Sequence, residues 1–179
     1  MTHNAPLPPS SAHAPTPVSV PLGVVISGTG SALPTSSLSN LDLEKIMDTS
    51  DEWIVQRTGI RQRYRIDPAK GECTLSLSAE ALNKALIAAG LKGADLDHII
   101  VATMTPEMAC PATACRVAQH VGATRAGAFD LNAACSGFVY GLNVAHDLVK
   151  CGSYKNIGLV GADTVSIHMD YSNNGRSTA

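Results

Sequence analysis

The chain has 179 residues, 45% of them apolar, which suits one domain of ordinary size with a buried core. Thirteen Lys and Arg against 15 Asp and Glu give a formal net charge of −2, so there is no broad basic field for nucleic acid or an anionic membrane. The longest apolar run, residues 85–91, falls far short of the ~20 residues of a membrane span. Five cysteines without a Cys-x-x-Cys pair read as thiols of a reducing cytosol, and the expected location is cytoplasmic.

Six of the ten prolines lie in the first 21 residues among Ser, Ala and Thr. Residues 1–22 therefore read as a disordered tail, with no basic start or apolar stretch of a signal peptide. A domain is expected over residues 23–179. Gly23 to Ser27 reads as a first buried strand, followed by a glycine turn at Gly28 and Gly30. The Gly-x-Gly lacks the third glycine and the following helix of a dinucleotide fingerprint, so a tight turn is the better reading. Leu41 to Val55 suggests two short helices broken around Thr49 and Ser50, an excursion from the core.

Ser78 to Gly90 has apolar residues at helical spacing and a glycine at the C-terminal cap. Strands follow at 98–102, 128–133 and 156–162, with helices at 113–120 and 135–149 between them. The alternation is βαβαβαβ with continuous apolar strands, which implies an α/β class with a parallel-type sheet and helices on both faces.

Two segments carry possible chemistry. Four of the 13 basic residues fall within Arg57 to Arg65, just after Trp53 and an acidic stretch. This is either a solvated loop or an anionic ligand site, in which guanidiniums hold phosphates and the indole faces a flat base. Cys135 follows a strand and opens a helix in the frame Ala-Cys-Ser-Gly. A thiol at a helix N-terminus meets free N–H groups and the positive dipole end, which favour a thiolate and can hold a developing oxyanion. The alternative is a space-filling cysteine, the reading taken for Cys73, Cys110, Cys115 and Cys151. None of the six histidines is placed near Cys135 by spacing. His146 shares its helix but stands eleven residues on, about 16 Å away at 1.5 Å per residue.

Three segments together resemble the β-ketoacyl-acyl-carrier-protein synthase III family, thiolase-fold condensing enzymes that start fatty-acid synthesis. They are Asp48 to Arg63, with Trp-Ile-Val-Gln-Arg-Thr-Gly-Ile at its centre, Ala128 to Leu142 around Cys135, and Val25 to Pro34. The resemblance implies that Cys135 is the catalytic nucleophile, taking an acyl group from acyl-CoA as a thioester that condenses with malonyl-acyl-carrier-protein. It implies that Thr49, Trp53, Arg57 and Arg176 bind the nucleotide of CoA. Arg176 is matched across a spacing two residues longer than usual. No metal and no resident cofactor are implied, since acyl-CoA is a substrate. A homodimer is expected, with its interface near Met104 to Cys115.

The family is built from two related halves, and the resemblance covers the first, without its last strand. The catalytic His and Asn belong to the second, so the chain is expected to be a truncated form. Two alternatives stand beside this reading: a related condensing enzyme or acyltransferase of specialised metabolism, and a non-catalytic fragment.

Overall fold

The computed structural model describes residues 23–172. The expected tail at 1–22 and Arg176 lie outside the described residues. The architecture is a three-layer α/β/α unit with a small excursion inserted before its first long helix.

The centre is strand β3 (His98–Ala102), hydrogen-bonded in parallel on one side to β4 (Gly127–Leu131) and on the other to β5 (Ile157–Gly161). The sheet order is therefore β4-β3-β5. A continuous apolar run belongs here because β3 is covered on both faces, and Ile99, Ile100 and Val101 are fully buried. Alternate residues of the strand face opposite layers. Ile99, Val101 and Val160 pack with Leu75, Leu82 and Leu86 of α3 (Thr74–Ala89) and with Ala114 and Val117 of α4 (Thr113–His120). The opposite face is covered by α5 (Gly137–Lys150), where Leu159 lies against Gly141.

Helix α3 begins four residues before the expected start because the Cys73 sulfur and the Ser76 hydroxyl form a capping box. It ends on Gly90 at φ 69°, a left-handed turn that only glycine adopts at no steric cost. Helix α4 has alanine at its N-cap, and the cap comes instead from the sheet. The Asp130 carboxylate of β4 accepts the Thr113 and Ala114 N–H groups at 2.7 Å each.

The excursion holds β1 (Ser36–Ser39), α1 (Asn40–Glu44), α2 (Asp51–Thr58) and β2 (Gln62–Arg65). The two short helices match the sequence reading, but the antiparallel pairing of β1 with β2 was not foreseen. Both strands are short and polar, so neither has the apolar run or the alternation that signals a strand. A separate small core of Leu43, Met47 and Ile54 holds the unit, with Leu38 and Tyr171 against it.

One expectation needs correction. Gly23 to Ser27 is not a strand, and no sheet hydrogen bonds are made from Gly23 to Pro34. The segment lies along α3, where Gly28 and Gly30 touch the helix backbone so closely that a Cβ on either would collide with the Ala85 and Ala81 carbonyls. An apolar run becomes a strand only when a neighbouring edge completes its hydrogen bonds. Among the described residues no such edge adjoins it.

The imidazole of His98, at the start of β3, is 6% exposed, stacks on Tyr154 at 4.7 Å between ring centroids, and has no hydrogen-bond partner on either nitrogen. Burial pushes its pKa below the ordinary value near 6.5. As pH falls through that value, the unfolded chain takes up a proton that the folded chain does not, so stability falls with acidification until the folded pKa is reached. Urea titrations from about pH 7 to pH 5 are expected to show this loss. A His98→Phe variant, which keeps the ring packing, should flatten the slope.

Candidate active site

Cys135 sits on a single 3-10 turn, Ala134–Ser136, that joins the end of β4 to the first residue of α5. Two features make the turn sharp. Ala134 takes φ 46°, in the left-handed region where a side chain is strained, and Gly137 brings the helix start against β3. A Cβ at Gly137 would stand 3.2 Å from the Ala102 Cβ, closer than side chains comfortably pack. The thiol is thus held over the C-terminal end of the sheet, where open α/β sheets bind their ligands. Cys135 is exposed, and Ser136 makes no side-chain hydrogen bond to the first turn of α5, while the 3-10 turn before the helix takes up the Ser136 and Gly137 N–H groups on the Ala133 and Ala134 carbonyls.

The thiol lines a depression of about 220 Å³ with Ala102, Ala134, Phe138, Gly161, Ala162 and Asp163. Its polar member, Asp163, follows β5, and its Oδ1 accepts the Met104 N–H at 2.7 Å and the Thr103 hydroxyl at 3.2 Å. Behind it lies a buried knot of threonines. The Thr74 hydroxyl meets the Thr105 carbonyl at 2.7 Å and the Thr164 hydroxyl at 2.8 Å, and the Thr164 N–H donates to the Thr105 hydroxyl. These bonds tie the loop after β3, the loop after β5 and the start of α3 into one wall.

The sequence reading missed Asp163 and the threonines. Asp163 was open to discovery, because a carboxylate just past a parallel strand lies at the ligand-binding edge. The threonines gave no signal, since their pairing joins residues 31 to 90 positions apart. No histidine or asparagine lines the depression among the described residues. His146 hydrogen-bonds Asp147 on the outer part of α5.

The nucleotide-site candidates fall on the excursion, apart from the thiol. The Ser50 hydroxyl accepts the Trp53 N–H and starts α2, and four residues on the Arg57 guanidinium lies over the indole, 4.7 Å from the ring centroid. Helical i,i+4 spacing makes this pair a single cationic aromatic platform. Trp53 is 45% exposed, so the platform is open to solvent. Thr49 lies two residues before α2 and is half-buried. Neither Trp53 nor Arg57 lines the Cys135 depression.

Among the described residues no group of three or more His, Cys, Asp and Glu could hold a metal ion, and no helix is long and apolar enough to cross a membrane.

Two outcomes follow from the turn. Limiting iodoacetamide with peptide mapping should label Cys135 before the other exposed thiols. Cys151 is the nearest competitor, since the Ser153 hydroxyl, 3.1 Å away, lowers its pKa. Ala134→Val, which forces a β-branched side chain to positive φ, should cost about 1–3 kcal/mol in urea unfolding, whereas Ala134→Gly should cost nothing.

The 3-oxoacyl-[acyl-carrier-protein] synthase III family matches residues 129–179. The β-ketoacyl-[acyl-carrier-protein] synthase III of Caldanaerobacter subterraneus is 52% identical over 141 residues, 79% of this chain and 42% of that protein. The solved 3-oxoacyl-[acyl-carrier-protein] synthase III of Aquifex aeolicus superposes with a TM-score of 0.81 at 44% identity, covering 86% of this chain and 48% of that one. The priming β-ketosynthase of the R1128 polyketide pathway follows at 0.80 and 34% identity. The chain spans about half the length of the curated relatives it matches. Half of its aligned positions are shared with such relatives and its backbone follows theirs, so the chain belongs to the β-ketoacyl-acyl-carrier-protein synthase III family.

Proposed function

We propose that the chain carries the acyl-transfer site of a β-ketoacyl-acyl-carrier-protein synthase III. The observation that supports this most is the position of Cys135, exposed at the uncapped N-terminus of a 14-residue helix, on a strained turn over the sheet end.

In the first step the Cys135 sulfur bonds to the acyl carbon of acyl-CoA. The carbonyl oxygen carries the developing charge toward the positive dipole end of α5, and the bond to the CoA sulfur breaks. CoA leaves with the proton that the cysteine gave up. In the second step malonyl-acyl-carrier-protein loses CO₂, and the electron pair released attacks the acyl carbon. The Cys135 sulfur leaves, and β-ketoacyl-acyl-carrier-protein is formed. The groups that stabilise charge on the malonyl thioester come from outside the described residues, where the family resemblance places a histidine and an asparagine.

The depression beside Cys135 suits a short acyl group such as acetyl. The Trp53–Arg57 platform is assigned to the CoA adenine and its phosphates, and the family resemblance assigns Thr49 and Arg176 to the same nucleotide. Acyl-CoA is a substrate, and the chemistry needs no resident cofactor. Malonyl-acyl-carrier-protein is the second substrate, the working form is a homodimer, and the location is cytoplasmic. The likeness to a priming ketosynthase supports a second reading, a condensing enzyme of specialised metabolism that uses the same thioester.

Incubation with acetyl-CoA should add one acetyl group to the chain by intact mass, located at Cys135 and lost in Cys135→Ser. No acylation of folded protein by any of a panel of acyl-CoA esters would overturn the assignment, and a preference within the panel separates the two readings. Trp53→Ala should weaken CoA binding about fivefold, the equivalent of ~1 kcal/mol of stacking, measured by calorimetry.

A further inference from the structure

Among the described residues the Cys135 depression has one charged side chain in its lining, and it is an acid, Asp163. Besides the thiol, the other members are Ala102, Ala134, Phe138, Gly161 and Ala162, which offer methyl groups, a ring and backbone. Asp163 follows the end of β5 and is held by two donors. The Met104 N–H and the Thr103 hydroxyl both end on Oδ1, and Oδ2 takes part in neither bond. These ties do not call for a charge, because any carbonyl-type oxygen accepts from the same two donors. The charge itself is what the scaffold leaves unexplained.

A fixed carboxylate beside a thiol sorts reagents by charge and not by size. The depression, about 220 Å³, has the volume of a sphere about 7.5 Å across, so an anion inside it stands within about one Debye length of Asp163, ~8 Å at physiological ionic strength. Two like charges about 7 Å apart disfavour each other about threefold in bulk water and about fiftyfold at the effective dielectric of a protein surface. Asp163 is exposed, so the lower part of that range applies. The start of α5 works in the other direction, with a dipole end equivalent to about half a positive charge, which draws anions toward the thiol. Against it the whole charge of a carboxylate leaves the depression negative.

We infer that Asp163 is a specificity-determining residue of the acyl transfer: it keeps acyl groups that bear their own carboxylate, malonyl above all, off Cys135 and admits neutral groups of the same size. The inference rests on the acyl-transfer reading of Cys135. Under that reading the discrimination has a use, because malonyl is the thioester consumed in the second step, and malonyl on the cysteine would block the nucleophile. Malonyl carries its carboxylate two bonds beyond the carbon that the sulfur attacks, where butyryl carries only methylene and methyl. For either ester the Cys135 sulfur bonds to the acyl carbon, the bond to the CoA sulfur breaks, and CoA leaves with the proton. Asp163 makes and breaks no bond.

Asp163→Asn is the informative variant, since the asparagine Oδ1 accepts from Met104 and Thr103 as before and only the charge is removed. Acylation of the 179-residue chain by butyryl-CoA and by malonyl-CoA is followed by intact mass near neutral pH, with malonyl and the acetyl left by its decarboxylation counted together. The butyryl-to-malonyl rate ratio is expected to fall about threefold or more in the variant. Alkylation reads the same charge without any acyl transfer. The ratio of iodoacetamide to iodoacetate rates at Cys135 should fall by a similar factor in Asp163→Asn. In the unchanged chain that ratio should also fall as salt is raised from about 0.05 M to about 0.5 M, which shortens the Debye length roughly threefold and needs no variant. An alkylation ratio indifferent to salt, or ratios equal in the two proteins while the chain is acylated, would overturn the role of Asp163 alone. Acylation by neither ester would overturn the acyl-transfer reading and this role with it.

Discussion

The burial of strand β3 is the constraint on which the rest depends. Its residues His98 to Ala102 are all buried, both its edges are taken, and helices cover both its faces. A strand in that position can be neither short of apolar side chains nor free in register, because a slip of one residue would exchange the two faces. Its two neighbours end level with it, Leu131 and Gly161 standing opposite Ala102. The loops that leave β3, β4 and β5 therefore emerge at one end of the sheet. Cys135, the loop after Thr103 and Asp163 meet there without any of them being close in sequence.

Placing Cys135 then depends on small residues. Ala102 and Gly137 allow the start of α5 to approach the strand end, and a larger side chain at either would lift the helix and carry Cys135 with it. The strain at Ala134 is the local cost of turning from strand to helix in so few residues, of order 1–3 kcal/mol. It persists because both flanking elements are independently fixed, β4 by the ladder to β3 and α5 by Leu159 packed against Gly141. The threonine knot performs the same service for the opposite wall through hydrogen bonds that are shielded from water and hence stiff, and Asp163 adds a more exposed tie to Thr103 and Met104.

Legibility from the sequence followed locality. Residues 98–102 and 113–120 could be bounded from their own pattern, since an apolar run and an amphipathic turn are decided by the segment itself. Cys135 could be singled out because small residues around a thiol at a strand-to-helix junction are a local signal. The excursion was only half legible. Its helices start on capping serines, Ser39 and Ser50, but its polar strands exist only through each other. Trp53 and the arginines after it could be read as one of two things, a solvated loop or a ligand site, and Thr49 and Arg176 were named from resemblance alone; the coupling of Trp53 to Arg57 was not read, although their i,i+4 spacing permitted it. Asp130 as the cap of α4 and Asp163 as the tie between loops are contacts across 16 to 60 residues, where no local pattern exists to be read.

The misjudged strand at Gly23 to Ser27 is of a different kind. Its pattern was strand-like, and the glycines that follow it lie against the backbone of α3. What fails is pairing, a property of two segments. A peptide edge gains its hydrogen bonds only from a neighbour about 4.8 Å away, and among the described residues no strand stands beside Gly23 to Ser27. The turn at Cys135 differs in this respect, because its own small residues and the two elements that flank it fix its shape, and a segment decided by its neighbours in sequence can be read from them.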